Sequence, residues 1–81
     1  MYIVVYDICD RKRLKQVSRC LCSYGRRVQK SVFECNIDRL RFQRLRKELL
    51  SYCRGEDRIF SYFQRGVVSR EEIYKKKGKN F

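Results

Sequence analysis

The chain has no histidine, no proline and no tryptophan, and only four of its 81 residues are glycine. Without histidine there is no imidazole to ligate a metal or to activate a serine or cysteine nucleophile, so these classes of enzyme site are excluded. The scarcity of glycine and proline also argues against a linker or a disordered chain. With 43% hydrophobic residues, the chain is expected to form one small folded domain.

Long apolar runs are missing as well. The most apolar segment, residues 2–8, is interrupted by Asp7 and is too short for a membrane span or a signal peptide. The five cysteines are odd in number and include no C-x-x-C pair, which does not suit a zinc site or a disulfide framework. We therefore expect free thiols and a cytoplasmic protein.

Acidic residues are few. The chain has nine Asp and Glu and 21 Lys and Arg, which gives a formal net charge of +12. Such an excess repels itself in a compact fold and favours a polyanionic partner. Nucleic acid is the first candidate, because neutralising its phosphates releases counterions. An anionic membrane surface would require a basic amphipathic helix or a lipid anchor, and we find no lipidation motif. The remaining alternative is a basic protein whose charges are only solvated.

The hydrophobic pattern predicts the order strand, helix, strand or hairpin, helix, strand. Residues 2–8 and 58–63 are rich in β-branched and aromatic side chains, as strands are. Each helix is expected to begin after an Asp N-cap and to end near a glycine. These boundary residues are Asp10 and Gly25 for the first helix, and Asp38 and Gly55 for the second. Two such units predict an α+β fold of the split βαβ type, with both helices on one face of the sheet.

The middle segment, residues 27–37, has two interpretations. It is either one long strand or two short strands joined by a turn near Lys30–Ser31. A single straight strand would place Arg27, Gln29, Ser31 and Phe33 on one face, which suits a sugar–phosphate backbone. The alternative is an ordinary strand with Phe33 in the core.

Both alternating sets of side chains in the first strand are apolar, with Val4 and Tyr6 on one side and Ile3 and Val5 on the other. A sheet with one solvated face normally alternates apolar and polar residues. Two helices cover only one face, so the other face is expected to pack against a second copy of the chain, sheet on sheet. The alternative is an exposed aromatic face that stacks nucleic-acid bases.

Asp7 is the strongest candidate for chemistry, because a carboxylate at the end of an apolar strand is costly to bury unless it is paired or bound to a metal. The first helical turn after it carries Arg11, Lys12 and Arg13. Cations there oppose the helix dipole, which is tolerated where an anion binds. This arrangement predicts a site for a metal ion and a phosphate together, although a strand-end salt bridge is the commoner role of a lone Asp. One carboxylate holds Mg²⁺ weakly, and two copies of Asp7 near a two-fold axis would supply a pair.

Four sequence blocks, in order, resemble the CRISPR-associated Cas2 family. They are YIVVYDI at residues 2–8, RLKQV at 13–17, YGRRVQKSVFEC at 24–35 and DRIFSY at 57–62. The combination of the strand-end Tyr6–Asp7 with the block from Arg27 to Cys35 is specific, whereas the segment from about Gly66 onward is not diagnostic. The resemblance implies a ferredoxin-like βαββαβ fold over residues 1–65, with an antiparallel sheet and a two-fold homodimer.

The same resemblance implies site residues and partners. Asp7 would be the catalytic carboxylate and the ligand of Mg²⁺ (or Mn²⁺) in an endonuclease that acts on single-stranded RNA or double-stranded DNA. The dimer would bridge two dimers of the Cas1 integrase and hold the protospacer duplex. Positions linked to activity or substrate contact match Tyr6, Arg27, Ser31 and Phe33, and Lys15 matches a basic position on the first helix. We add Arg13, from the cationic helix start, to these predicted nucleic-acid-binding residues.

The C-terminal extension, residues 66–81, is expected to contribute a short strand at Val67–Val68 to the other subunit and to end in a mobile basic tail. Three functions compete at this stage. The first is a nucleic-acid-binding subunit of the integration complex with endonuclease activity or as an inert scaffold. The second is a stand-alone, toxin-like RNA interferase. The third is a passive RNA-binding module, which the lack of an RRM signature in residues 31–37 disfavours.

Overall fold

The computed structural model describes residues 1–65, which form a four-stranded sheet and two helices. The elements are β1 (Tyr2–Asp7), α1 (Arg11–Cys22), β2 (Arg26–Gln29), β3 (Val32–Cys35), α2 (Arg39–Tyr52) and β4 (Arg58–Phe63). The strands are antiparallel in the order β2-β3-β1-β4. This is the predicted ferredoxin-like βαββαβ arrangement. The strand and basic tail expected in residues 66–81 lie outside the described residues.

Both predicted N-caps are confirmed. The Asp10 side chain accepts a hydrogen bond from the Arg13 amide at 3.0 Å, and that of Asp38 accepts one from the Arg41 amide at 2.8 Å. Each bond satisfies an N–H group that has no partner within its own helix. Neither helix of the described part of the chain is long and apolar enough to cross a membrane.

Gly25 serves a different purpose from the one that its position after α1 suggests. The helix ends at Cys22, Ser23 is its C-cap, and of the described glycines Gly55 alone has a positive φ, of 57°. A Cβ atom on Gly25 would lie 2.1 Å from the Glu34 carbonyl oxygen and 2.8 Å from Cys35 Sγ. Glycine is therefore required here because α1 leads into β2 directly against the backbone of β3, and not because of a left-handed conformation.

The middle segment is a hairpin, so the interpretation with two short strands is correct and the single long strand is wrong. Strands β2 and β3 pair in antiparallel register across a turn at Lys30 and Ser31, with an irregularity between Arg27 and Gln29. Arg27 lies opposite Phe33 across the two strands. These two residues thus share a sheet face through cross-strand pairing rather than through alternation along one strand.

The sheet buries apolar side chains on both faces, as its sequence pattern predicts. On one face, Val4 and Tyr6 of β1 pack with Leu21 of α1 and Leu45 of α2 in a buried cluster. The other face carries a second cluster, to which neither α1 nor α2 contributes a residue. Its buried members are Ile3, Val5 and Val32, and Met1, Val28, Phe60 and Tyr62 pack against them partly buried. Both helices therefore lie on one face, and no helix within residues 1–65 covers the second apolar face.

Candidate nucleic-acid and metal site

One end of the sheet collects most of the predicted functional residues. Strand β1 ends there at Asp7 and β4 begins there at Arg58, and the two residues are partners in the antiparallel register. The β2–β3 turn lies at the same end, because the Tyr6 amide donates a hydrogen bond to the Ser31 carbonyl oxygen at 3.1 Å. The fold thus brings Ser31 beside the Tyr6–Asp7 pair from 24 residues further along the chain and adds Arg58 to the site.

Asp7 itself is exposed. None of the ion pairs within residues 1–65 involves its carboxylate, although Arg58 lies opposite it in the sheet. Within residues 1–65, no group of three or more cysteine, aspartate or glutamate side chains is close enough together to hold a metal ion. The Asp7 carboxylate therefore offers a hard oxygen ligand whose charge no ion pair within residues 1–65 neutralises.

Of the three cations at the start of α1, two are exposed and one is in an ion pair. Arg11 and Lys12 are exposed. Arg13, by contrast, donates from Nε to Asp57 Oδ2 at 2.7 Å and lies 4.0 Å from Asp10 Oδ2. The Arg13 guanidinium, with help from backbone N–H donors, holds the pKa of the Asp57 carboxyl well below its usual range. Arg13 is thus committed to an ion pair and is not the free phosphate-binding cation that its position in the sequence suggests.

Two predicted nucleic-acid-binding side chains are in the core. Tyr6 is 1% exposed and Phe33 is 0% exposed, and both belong to the cluster beneath the helices. The Tyr6 hydroxyl donates a hydrogen bond to the Lys30 carbonyl oxygen at 3.3 Å and so helps to fix the β2–β3 turn. Direct contact of these two rings with nucleic acid does not fit their burial, because both side chains are part of the packed core.

The other two predicted basic residues are exposed. Arg27 donates from Nη2 to Ser18 Oγ, and its guanidinium lies 5.4 Å from the centre of the Phe33 ring, which holds the charge at the edge of the sheet. Lys15 lies on a groove between α1 and α2 that is open to solvent. The groove is lined by Lys12, Lys15, Gln16, Arg19, Cys20, Ser23, Glu48 and Tyr52.

The acidic and thiol groups of that groove are already engaged. Cys20 Sγ donates a hydrogen bond to Glu48 Oε2 at 2.9 Å, and the Tyr24 hydroxyl donates to Glu48 Oε1 at 3.3 Å. Burial, together with the Glu48 carboxylate, raises the pKa of Cys20 to about 12, so its thiol stays protonated at neutral pH. The groove therefore presents three cations from α1, while its one carboxylate is held by the protein itself.

Sequence reasoning missed Asp57 and Arg58 as parts of the site. Taken alone, Asp57 is an acid in a loop and Arg58 the first residue of a strand. The fold itself provides the signal that would have found them. In a βαββαβ sheet β4 runs antiparallel to β1, so the start of β4 must lie beside the end of β1, where Asp7 is.

The chain is similar in sequence to proteins of one family. The sequence model of the family described as CRISPR associated protein Cas2 matches residues 1–70. The chain is 36% identical over 63 residues to a protein of Synechocystis sp. named CRISPR-associated endoribonuclease Cas2 3, covering 78% of this chain and 68% of that protein. It is 44% identical over 64 residues to CRISPR-associated endoribonuclease Cas2 4 of Rhodospirillum rubrum, covering 78% of this chain and 52% of the relative.

Solved structures resemble the fold closely. A hypothetical protein from Thermus thermophilus superposes with a TM-score of 0.79 at 39% identity, and 84% of each chain is covered. Streptococcus pyogenes Cas2, in a crystal structure at pH 6.5, superposes with a TM-score of 0.72 at 33% identity, covering 78% of this chain and 83% of that one. The chain spans about half to two thirds of the length of several curated relatives.

Proposed function

The chain belongs to the CRISPR-associated Cas2 family, and on that premise we propose that it is a nucleic-acid-binding subunit of CRISPR spacer acquisition with metal-dependent endonuclease activity. Its substrate would be single-stranded RNA or double-stranded DNA. The observation that carries the proposal is the exposed carboxylate of Asp7, which has no ion-pair partner within residues 1–65 and lies at the end of β1, before the cationic start of α1. The names of its relatives, endoribonuclease and endonuclease, support the class of reaction.

The residues present fit a hard divalent cation, Mg²⁺ or Mn²⁺. Mg²⁺ binds oxygen ligands and commonly takes one or two carboxylates, with water and substrate phosphate completing its coordination. Asp7 would be the protein ligand, one from each copy of the chain in a dimer. When bound, the metal would polarise a phosphoryl oxygen or lower the pKa of a bound water. The chain itself would hold the phosphate with the exposed cations Arg11 and Lys12 and the N-terminus of α1.

The charge distribution supports nucleic acid as the partner. The net charge is +12, and three cations of α1 line one side of the groove between the helices. A duplex carries one phosphate charge per about 1.7 Å of its axis, so a row of Lys and Arg side chains follows its backbone well. Lys12, Lys15 and Arg19 repeat at helical spacing along the outer face of α1. We propose that this row and Arg27 contact the sugar–phosphate backbone without reading its sequence.

The second apolar sheet face supports a homodimer. On the sheet face that no helix within residues 1–65 covers, Ile3, Val5 and Val32 are already buried, and Phe60 and Tyr62 extend the cluster along β4 and stay partly exposed. A second copy packed face to face would cover this surface and would bring two cationic surfaces into one assembly. In the proposed assembly this dimer lies between two dimers of the Cas1 integrase in the cytoplasm and holds the protospacer duplex.

The test is cleavage of end-labelled single-stranded RNA and duplex DNA by the purified chain and by Asp7→Asn, each with Mg²⁺ and then with EDTA. We expect cleavage to fall at least about 100-fold in Asp7→Asn and to stop in EDTA, because both changes remove the metal from the phosphate. Glu56→Gln is the matched control, since Glu56 is also an exposed carboxylate and lies next to Asp57. It should cleave like the wild type.

Three other outcomes lead to different conclusions. Cleavage that survives Asp7→Asn would remove Asp7 from the reaction. An inactive wild type that still binds duplex DNA would leave the scaffold function alone. Activity on RNA with no affinity for duplex DNA would favour the toxin-like RNA interferase instead.

A further inference from the structure

The Asp57 carboxylate is the most heavily hydrogen-bonded side chain at this end of the sheet. Its side chain is 0% exposed. Arg13 donates to it twice, from Nε to Oδ2 at 2.7 Å and from Nη2 to Oδ1 at 3.3 Å. The backbone amides of Cys9 and Arg54 donate to Oδ1 at 2.9 Å and to Oδ2 at 3.0 Å. Both oxygens therefore accept two hydrogen bonds, and the orientation of the carboxylate is fixed from three directions.

These donors come from the segments that flank Asp7. Cys9 follows Asp7 by two residues, and Arg13 lies in the first turn of α1, which that short connection enters. Arg54 belongs to the loop before β4, and Asp57 immediately precedes Arg58, which lies opposite Asp7 in the sheet. A single buried carboxylate thus ties the chain that leaves β1 to the chain that enters β4, on both sides of the Asp7 position.

We propose that Asp57 is a positioning residue for Asp7, an inference that rests on the proposed metal-dependent function. It acts in two ways. By holding the Cys9 amide it fixes the backbone just after Asp7, which is exposed and has no ion-pair partner of its own within residues 1–65 to orient it. By occupying the Arg13 guanidinium it also keeps that cation away from Asp7, whose charge then remains available to a metal.

The physical basis is that reacting groups must be held to within a fraction of an ångström. A misplacement of about 1 Å can cost about 100-fold in rate. A ligand at the end of a strand has no further ladder hydrogen bonds beyond it, so its position depends on the loop that follows. The depressed pKa of the Asp57 carboxyl, caused first by Arg13, shows that the charged form is the one these contacts stabilise.

The test compares Asp57→Asn with Asp38→Ala in the full chain. Asp57→Asn replaces one acceptor oxygen with an NH₂ group and removes the charge that holds Arg13. We expect kcat to fall about tenfold or more, KM for the nucleic acid to change less than about twofold, and the Mg²⁺ concentration for half-maximal cleavage to rise several-fold. Asp38→Ala removes the N-cap of α2, and Asp38 takes no part in the hydrogen bonds of the Asp57 carboxylate. This change should lower Tm without changing kcat.

A double variant separates positioning from general destabilisation. Arg13→Gln removes the cation that Asp57 keeps away from Asp7 and leaves the Cys9 contact in place, so it should lower kcat much less than Asp57→Asn does, and the double variant should lose no more than Asp57→Asn alone. Independent, additive losses would contradict action through this pair. Wild-type kcat in a folded Asp57→Asn variant, or an equal loss of kcat in Asp38→Ala, would overturn the proposal.

A readout without cleavage keeps this inference apart from the proposed function. Mn²⁺ added to ¹⁵N-labelled protein should broaden the amide signals of Asp7, Ile8 and Cys9 in the wild type and much less in Asp57→Asn. If the wild type does not cleave but shows this broadening, the nuclease proposal fails and the positioning role stands. If Mn²⁺ broadens these signals equally in both proteins, the positioning role fails whatever the activity. If the wild type shows neither cleavage nor broadening, both proposals are overturned.

Discussion

At the scale of single residues, two carboxylates at the same end of the sheet receive opposite environments. Asp7 is exposed and is in none of the ion pairs of residues 1–65, whereas the side chain of Asp57 is fully buried and accepts from Arg13 and from backbone amides. A carboxylate that accepts hydrogen bonds from several protein donors has no lone pairs left to bind a metal. A carboxylate without such donors keeps its lone pairs available for a metal. The same residue type thus forms a candidate ligand at one position and a structural connection at the other.

Gly25 is the residue at which one added methyl group should cost most. Gly25→Ala would place Cβ 2.1 Å from the Glu34 carbonyl oxygen, and a backbone atom there cannot move aside as a flexible side chain can. We expect the free energy of unfolding to fall by about 1–3 kcal/mol, the usual range for overpacking. Urea denaturation followed by circular dichroism would measure it. Ser23→Ala, at the exposed C-cap two residues earlier, should change stability by less than about 0.5 kcal/mol.

At the scale of elements, each helix has an inner face that packs in the core and an outer face that carries basic residues. Their inner faces supply Val17, Leu21, Leu45 and Leu49 to the core. Their first turns contain no acidic residue, and the outer faces carry most of the basic residues of the domain. In a helix the face is set by a period of 3.6 residues, so both roles were visible in the sequence before any packing was known. The packing of the two helices forms the groove between them, and the cations of α1 line one side of that groove.

The row of cations on α1 gives a prediction about the salt dependence of binding. Replacing Lys15 and Arg19 with Gln should weaken binding to a labelled duplex and reduce the slope of log K against log salt by about one for each phosphate that is no longer neutralised. Fluorescence anisotropy between about 50 and 200 mM salt would measure that slope. Arg26→Gln is the control, because Arg26 is already paired with Glu34 at 3.0 Å, and its slope should match the wild type. If the Arg26→Gln control reduced the slope as much as the changes at Lys15 and Arg19, the binding would depend on net charge and not on the position of these cations.

At the scale of the whole molecule, the sheet is apolar on both faces, and the two helices of residues 1–65 cover one of them. In a chain of this size, only a limited apolar surface can be buried by the domain alone. The cluster around Ile3 and Val5 includes Phe60 and Tyr62, which stay partly exposed in the single chain. A second copy is the proposed cover, and it would also place two Asp7 carboxylates in one assembly.

Phe60→Glu should therefore convert a dimer into a folded monomer. The side chain lies across from Val5 on the proposed interface and is only partly buried within the chain, so a charge there can reach solvent in the monomer but not in the dimer. Sedimentation equilibrium would give the molecular mass, and circular dichroism would confirm the fold. Leu40→Glu is the control, since Leu40 is 61% exposed on α2, away from this face. A wild type that is monomeric at micromolar concentration would refute the interface.

The order of strands and helices and the helix starts were predicted from the sequence alone and are confirmed, and the proposals of a polyanionic partner and of Asp7 as the site also come from the sequence. These features depend on signals within a few residues of one another, such as the N-caps Asp10 and Asp38 and the hydrophobic period. Net charge depends only on composition. The family resemblance added the fold name and the site residues, and the sheet order confirms the fold.

The tertiary structure decided the rest, because it depends on residues that are distant in the chain. The hairpin turn at Lys30 and Ser31 is fixed by the pairing of β3 with β1, and that pairing also buries Phe33. Whether Arg13 is free depends on Asp57, 44 residues further on, and no local pattern connects the two. Periodicity shows which side of an element is apolar, but only the register between strands determines which polar groups meet and which, like Asp7, form no ion pair within residues 1–65.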